Sequence, residues 1–180
     1  MAQNKNMPQG KHIAGKKISK HATEEFKGKS DYVFCPKGEA VYYRKSWHHI
    51  AKFFTNPPDS KRDKDVVFEL CPAHDMEKKK QYEGEVIVRD VPDMFRDDLW
   101  GLVEGMGERA MRKDVLDRIF IMKWAKNQLT VTTSENQLAQ KIGRKIKETF
   151  KKHIAEYMMR PKGGESDFVS VQVAFIKKLK

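Results

Sequence analysis

Two Cys-Pro turns constrain the fold of this chain more than any other feature. The first reads Cys35-Pro36-Lys37-Gly38 and the second Cys71-Pro72-Ala73-His74, and each follows a short apolar, strand-like run. Two ligands three residues apart in a tight turn clasp one metal ion, and a four-ligand zinc ribbon has such a pair at both turns. Here Gly38 replaces the second ligand of the first turn. The turns indicate either a zinc site with an altered ligand set or the framework of one that has lost its metal.

The candidate metal ligands are thiols and imidazoles. Cys35, Cys71 and His74 supply three of them, and the fourth can come from His48, from His49 or from water. We take His48 as the fourth member of the predicted set. Thiolate and imidazole suit Zn²⁺. A structural zinc site normally has four protein ligands, so the alternative is that both thiols are buried in a ribbon held by aromatic packing.

Composition and charge narrow the class of partner. The chain has 180 residues, a formal net charge of +11 and a pI of about 9.6, which favours RNA or DNA over a membrane surface. The first thirty residues lack the apolar core of a secretory signal, and no apolar run is long enough to span a membrane. Only two cysteines are present, which suits a reducing compartment. We therefore expect a soluble cytoplasmic protein with no membrane partner.

The chain divides into three predicted segments. Residues 1–31 are polar and lysine-rich, which predicts a disordered basic tail, either merely solvated or ordered along a phosphate backbone. Residues 32–81 contain both Cys-Pro turns and form a degenerate zinc-ribbon-like module, with a helix expected from Ser46 to Phe54. Residues 82–180 form an α+β domain.

The α+β domain repeats a strand and helix pattern. Alternating and apolar runs predict strands, and the stripes of apolar residues between them predict two helices. The order is β-α-β-β-α-β, which is that of a ferredoxin-like fold with a four-stranded antiparallel sheet and both helices on one face. The strands are expected at residues 85–91, 116–124, 129–133 and 168–176, and the helices at 93–113 and 134–158.

Several short motifs resemble those of a known family. Cys35-Pro36-Lys37-Gly38-Glu39-Ala40-Val41-Tyr42 with Trp47-His48 resembles the CPxC-x-AVY…WH stretch of small bacterial zinc-ribbon proteins. Cys71-Pro72-Ala73-His74 resembles their CPAC turn, and residues 131–143 resemble their TT-x-x-x-LA-x-x-IG segment. Those proteins are similar to the zinc-binding part of the nonsense-mediated-decay-three family, which binds the large ribosomal subunit. Over residues 32–155, the resemblance implies a zinc ribbon joined to an α+β domain, with ribosomal RNA as the leading partner.

Aromatic and basic side chains are interleaved between the two Cys-Pro turns. Single-stranded RNA binders use this mixture, because bases stack on rings while cations hold phosphates. The alternative is that half of the rings belong to the core. The second predicted helix has basic residues off its apolar stripe, where the alternative is a solvated face. The predicted nucleic-acid-binding residues are Tyr42, Arg44, Lys45, His49, Lys52, Phe53, Lys141, Arg144, Lys145 and Lys152.

These features predict a non-catalytic RNA-binding protein associated with ribosomal RNA or the ribosome. The chain has no P-loop, no nucleophile elbow and no H-E-x-x-H motif, so we expect no enzyme. One alternative is a protein-interaction adaptor that forms a homodimer through the open sheet face. Phe120, Met122 and Trp124 occupy that face if Ile119 and Ile121 face the helices. A third hypothesis is a small zinc metalloenzyme with an open coordination position.

Overall fold

The described part of the chain forms two β-sheets and three α-helices. The structure is a computed structural model and describes residues 32–57, 59, 66–161 and 168–177, so the predicted tail of residues 1–31 lies outside it. The α+β class is confirmed. The elements are β1 Val33–Phe34, β2 Ala40–Tyr43, β3 Ser46–His49, β4 Val67–Phe68, α1 Pro72–Lys79, β5 Gly84–Arg89, α2 Arg96–Lys113, β6 Ile119–Ala125, β7 Gln128–Thr133, α3 Asn136–Thr149, β8 Ile154–Pro161 and β9 Val169–Phe175.

The first four strands form a small sheet in the order β3-β2-β1-β4. Strands β1 and β2 and strands β2 and β3 are antiparallel, whereas β1 and β4 are parallel. One face of this sheet packs on a hydrophobic cluster of Phe34, Val41 and Ile50, with partly buried apolar side chains around it, most of them aromatic. The other face meets the second half of the chain through Ala40, which is buried with Val115.

The helix expected from Ser46 to Phe54 is wrong. Residues Ser46–His49 form strand β3, and a short 3-10 helix, Ile50–Lys52, follows it. Pairing with β2 explains the difference, since Trp47 lies opposite Tyr42 in a two-residue hairpin. The apolar spacing that indicated a helix arises because a strand and a 3-10 turn succeed each other within one short stretch.

The large sheet has five strands in the order β6-β7-β5-β9-β8. Neighbouring strands are antiparallel except for β5 and β9, which are parallel, with Val86 opposite Val171. The four predicted strands, the hairpin between β6 and β7, and the helix α2 are confirmed. The sequence predicts a four-stranded antiparallel sheet. The observed sheet differs in two ways, because a fifth strand, β8, lies at its edge and β5 and β9 are parallel.

The extra strand occupies the end of the helix that the sequence predicts to run to residue 158. Helix α3 ends at Thr149, and β8 follows after a 3-10 turn. A bulge between Ile154 and Glu156 shifts the register of β8, so that Ile154, Tyr157 and Met159 all pack against the core. The bulge removes the two-residue alternation that marks a strand, and the apolar residues four apart then imitate a helix.

Strand β6 faces the core with Met122 and Trp124, contrary to the prediction that they occupy the open face. Met122 pairs with Val131 and Trp124 with Leu129, and both partners are fully buried beneath the helices. A bulge between Ile119 and Ile121 reverses the expected alternation, so that Ile121 lies on the open side and is 40% exposed. Met122 and Trp124 therefore do not contribute to the open face on which the adaptor hypothesis depends.

The core of the α+β domain lies between the large sheet and helices α2 and α3. Alternate valines of β5 and β9 are buried against Leu138, Ala139, Ile142 and Ile146 of α3. Gly143 lets α3 approach β9, because a Cβ atom at that position would collide with the side chain of Val171. No helix in the described part of the chain is both long enough and apolar enough to cross a membrane.

Candidate metal centre

Three side chains from two separate segments meet where the small sheet joins α1. Cys35 directly follows β1 and opens a tight turn, in which the Gly38 N–H donates a 2.9 Å hydrogen bond to the Cys35 carbonyl. Gly38 has a φ of +84°, a left-handed conformation that glycine adopts without strain and cysteine does not. Cys71 is the N-cap of α1, with Pro72 as the first helical residue. Both ends of the site are thus fixed by backbone geometry.

The geometry of the group fits a tetrahedral metal ion. His74 Nδ1 lies 3.2 Å from the Sγ atom of Cys35 and 3.2 Å from that of Cys71, and all three ligand atoms lie within 4.8 Å of one another. A tetrahedral zinc ion would separate a sulfur and a nitrogen ligand by about 3.5 Å. The residues are buried, with exposed fractions of 1%, 0% and 6% for Cys35, Cys71 and His74. The structure therefore brings together three of the four predicted ligands.

His48, the fourth predicted ligand, does not join this group. Its Nε2 atom lies 3.2 Å from the carbonyl oxygen of Tyr43, and its ring packs edge-on to Phe53. His49 points the other way in β3, and its Nε2 donates a 2.7 Å hydrogen bond to the carbonyl of Met111 in α2. Neither imidazole is among the described groups that could hold a metal ion.

Two residues that the sequence analysis did not single out lie behind His74. The Nε2 atom of His74 lies 3.5 Å from Glu39 Oε2 and 3.1 Å from Arg118 Nη1, and Arg118 is ion-paired with Glu39. The guanidinium can only donate, so in this arrangement Nε2 accepts from Arg118. When Nδ1 binds a cation, the imidazole proton resides on Nε2, so the Arg118 contact must give way and the Glu39 carboxylate becomes the acceptor. Glu39 follows Gly38 directly, whereas Arg118 is far away in sequence and carries no local signal.

The two thiols have pKa values that are shifted in opposite directions. A hydrogen bond from the Cys71 thiol lowers the pKa of Cys35 to about 5, although burial opposes this. The same hydrogen bond, together with burial, raises the pKa of Cys71. At neutral pH the pair therefore holds one thiolate. A metal ion that bound here would release the remaining thiol proton, because the thiolate is the ligand form of cysteine.

The predicted nucleic-acid-binding residues of the small sheet fall on two sides. Tyr42 packs against Trp47, and like His49 it lies on the face of β2 and β3 turned towards the α+β domain. The four remaining residues are exposed, two of them in the turn between β2 and β3 and two at the end of the 3-10 helix. They are Arg44, Lys45, Lys52 and Phe53.

The predicted residues of the second helix all lie on the outer face of α3 or in the turn after it. Lys141, Arg144, Lys145 and Lys152 are exposed, as are Lys147 and Lys151. Arg144 bonds Gln140 and Lys145 bonds Glu148, and both contacts are at the surface. We call these six basic residues the α3 basic face.

The neighbouring helix α2 has as many acidic as basic residues, but most of its acids lie ahead of most of its bases. The exposed acids of α2 include Asp97, Asp98, Glu104 and Glu108, while its basic residues are concentrated in the last two turns.

Comparisons with family models, with characterised proteins and with solved structures find no match to this chain.

Proposed function

We propose that this protein is a non-catalytic RNA-binding protein whose partner is ribosomal RNA or a ribosomal subunit. The observation that carries the proposal is the α3 basic face. Between residues 141 and 152 there are six basic residues and one acidic residue, and all six basic side chains are exposed. A row of cations on one helix face attracts a phosphate backbone and releases its counterions.

The position of the basic face supports a polyanion as the ligand. Residues three and four apart on a helix are neighbours, so Lys141 and Lys145, like Arg144 and Lys147, form pairs of adjacent cations. Lys147 also lies 4.7 Å from the centre of the Tyr157 ring. With acids exposed on α2, a polyanion is attracted to the α3 side and repelled from much of the α2 side.

We further propose that zinc occupies the metal centre and has a structural role. Two thiols and an imidazole are ligands that zinc prefers, and their burial leaves no approach for a substrate. Cys35, Cys71 and His74 would hold the ion and thereby tie the turn after β1 to the start of α1. Bound zinc would add a cross-link just beyond the paired strands β1 and β4, at the point where the two segments leave the sheet. A ribbon-like module beside the α+β domain is the architecture that this proposal assumes.

The test measures RNA affinity as a function of salt concentration. The wild-type protein should bind a ribosomal RNA fragment, and its affinity should fall steeply between about 50 and 200 mM salt. Replacing Arg144, Lys145 and Lys152 by glutamine should weaken binding and reduce the slope of log affinity against log salt by about 2. Sedimentation with ribosomal subunits should show the same dependence.

A matched variant distinguishes a specific surface from general charge. Replacing Arg109, Arg112 and Lys113 by glutamine removes the same number of charges from exposed positions at the end of α2. This variant should retain most of the RNA affinity. Equal losses in the two variants, or a flat salt response of the wild-type protein, would exclude the α3 basic face as the RNA contact.

A further inference from the structure

The turn between β2 and β3 has an unusual backbone for its residue types. Tyr43 pairs with Ser46, so Arg44 and Lys45 form a two-residue hairpin loop. Both have positive φ angles, of 48° and 67°. Such turns favour Asn-Gly or similar pairs, because side chains with a Cβ branch or a long stem are strained in the left-handed region. The turn therefore holds two long cationic side chains next to each other at the tip of the hairpin.

Three aromatic rings, those of Tyr43, His48 and Phe53, lie close together beside this turn, and that of Phe53 is exposed. Phe53 is 41% exposed, and its ring centroid lies 5.7 Å from that of Tyr43 and 5.3 Å from that of His48, in edge-to-face contacts. The hydrogen bond between His48 Nε2 and the Tyr43 carbonyl fixes the imidazole. Phe53 is thus held by neighbouring rings while part of its surface is open to solvent.

One cation contacts these rings, and two more adjoin them in sequence. The guanidinium carbon of Arg44 lies 5.1 Å from the centroid of the Tyr43 ring, and Lys45 and Lys52 are exposed beside Arg44 and Phe53 in sequence. We call Tyr43, Arg44, Lys45, His48 and Phe53 the hairpin surface. It is separate from the α3 basic face, because it belongs to the small sheet.

We propose that the hairpin surface binds an unpaired RNA nucleotide, with the base stacked on Phe53 and the neighbouring phosphates held by Arg44 and Lys45. This inference rests on the proposed RNA-binding function and specifies it further. Stacking on an aromatic face requires a base that is not paired, and long basic side chains reach the phosphates on either side. The natural target would therefore combine a phosphate backbone on α3 with an unpaired segment at the small sheet.

The side chains of the hairpin surface favour RNA over a protein segment as the ligand. A protein segment would pair with the backbone of the edge strand β3 or would need an apolar groove, whereas the side chains here offer one exposed ring beside the exposed cations Arg44 and Lys45. A carboxylate-rich peptide would use the cations and leave Phe53 unused. RNA uses both, which is why we favour it over an acidic protein partner.

The experiment exploits the strained turn. The double variant Arg44→Asn with Lys45→Gly provides the residues that the turn prefers and removes both cations. It should melt at a higher temperature than the wild-type protein and bind a fluorescent oligouridine of about 12 nucleotides about tenfold more weakly. Because stability rises, the lost affinity cannot be attributed to unfolding. Unchanged oligouridine binding by this variant would overturn the proposal.

A second pair of variants tests the ring. Phe53→Ala should weaken oligouridine binding about tenfold, whereas Phe53→Tyr should bind like the wild-type protein, because tyrosine retains a stacking face. Equal losses in both would contradict stacking. Poly-glutamate that competed as well as unlabelled oligouridine would show that the surface recognises charge alone and would also overturn the proposal.

The control is another left-handed lysine. Lys126 has a φ of 52° in the turn between β6 and β7, is exposed, and belongs to the large sheet. Lys126→Gly should relieve the same backbone strain and leave oligouridine binding unchanged; an equal loss of affinity would contradict a specific site at the hairpin surface. Binding to a ribosomal RNA fragment that depends on α3 but not on the hairpin variants would overturn this inference while leaving the proposed function intact. If the protein bound no RNA at all, both the proposed function and this inference would be excluded.

Discussion

The guanidinium of Arg118, at the start of β6, is ion-paired with the carboxylate of Glu39 in the small sheet. Arg118 is nearly buried and Glu39 is partly exposed. The pair spans the junction between the two halves of the chain and ends at His74, whose Nε2 atom lies beside both side chains. It therefore connects the metal centre with the α+β domain, so a change at either residue should affect both.

Glu39→Gln should weaken zinc binding about tenfold, because the imidazole of His74 loses a charged acceptor that orients it. Zinc affinity would be measured by competition with a chromophoric chelator at neutral pH. The control is Glu77→Gln, an exposed residue on α1, which should bind zinc like the wild-type protein. Equal zinc affinities for the Glu39 variant and the control would show that the carboxylate does not act on the site.

Removal of the metal should lower the stability of the protein. Elemental analysis of the purified protein is expected to give one zinc ion per chain, and Cys71→Ser should abolish it. A chelator should lower the melting temperature of the wild-type protein and leave that of Cys71→Ser unchanged, because that variant has no ion to lose. Zinc-free protein whose melting temperature does not respond to added zinc would instead establish the alternative of a buried thiol pair.

Gly143→Ala should destabilise the protein by about 1–3 kcal/mol, because the new methyl group collides with the side chain of Val171. Gly101 provides the opposite case on α2, since a Cβ there meets nothing within 4 Å. Gly101→Ala should stabilise by about 0.5–1 kcal/mol through the higher helix propensity of alanine. Chemical denaturation of both variants measures these changes. The same sign for the two would contradict the close packing of α3 on β9.

Asp117→Asn should stabilise the protein near neutral pH. Burial, assisted by the nearby charge of Asp114, raises the pKa of Asp117 above its ordinary value. The folded state therefore binds the proton more tightly than the unfolded state, and this residue reduces stability as the pH rises through its unfolded and then its folded pKa. Asparagine does not titrate, so the variant does not lose this stability as the pH rises. The gain in melting temperature should be larger at about pH 7 than at about pH 3.5; a gain independent of pH would contradict the shifted pKa.

Much of the architecture follows from local patterns in the sequence. The alternation of β5 and β9 and the apolar stripe of α2 each correspond to one regular element, so the period alone identifies them. The stripe of the second predicted helix identifies α3 but continues past its end into β8. The metal group was predictable as well, since Cys71 and His74 are three residues apart and Cys35 opens a turn of the same kind. Local spacing fixes these features without any knowledge of the rest of the chain.

The remaining features depend on contacts that local patterns do not encode. Two bulges, in β6 and β8, shift which side chains face the core and defeat a strict two-residue alternation. The pair of Arg118 and Glu39 joins residues from different sheets, so nothing near either residue indicates the other. The residue types alone allow His48, His49 or water as the fourth ligand, but the hairpin turns the His48 imidazole towards the Tyr43 carbonyl.

The parallel pairing of β5 and β9 has a consequence for synthesis. Strand β9 lies between β5 and β8, and its residues 169, 171, 173 and 175 complete the core. A nascent chain that has emerged only as far as β8 lacks the strand that joins this edge to the rest, and its apolar interior is open to water. The sheet can therefore close only after β9 has been synthesised. Until then the exposed valines are available to bind chaperones or to aggregate.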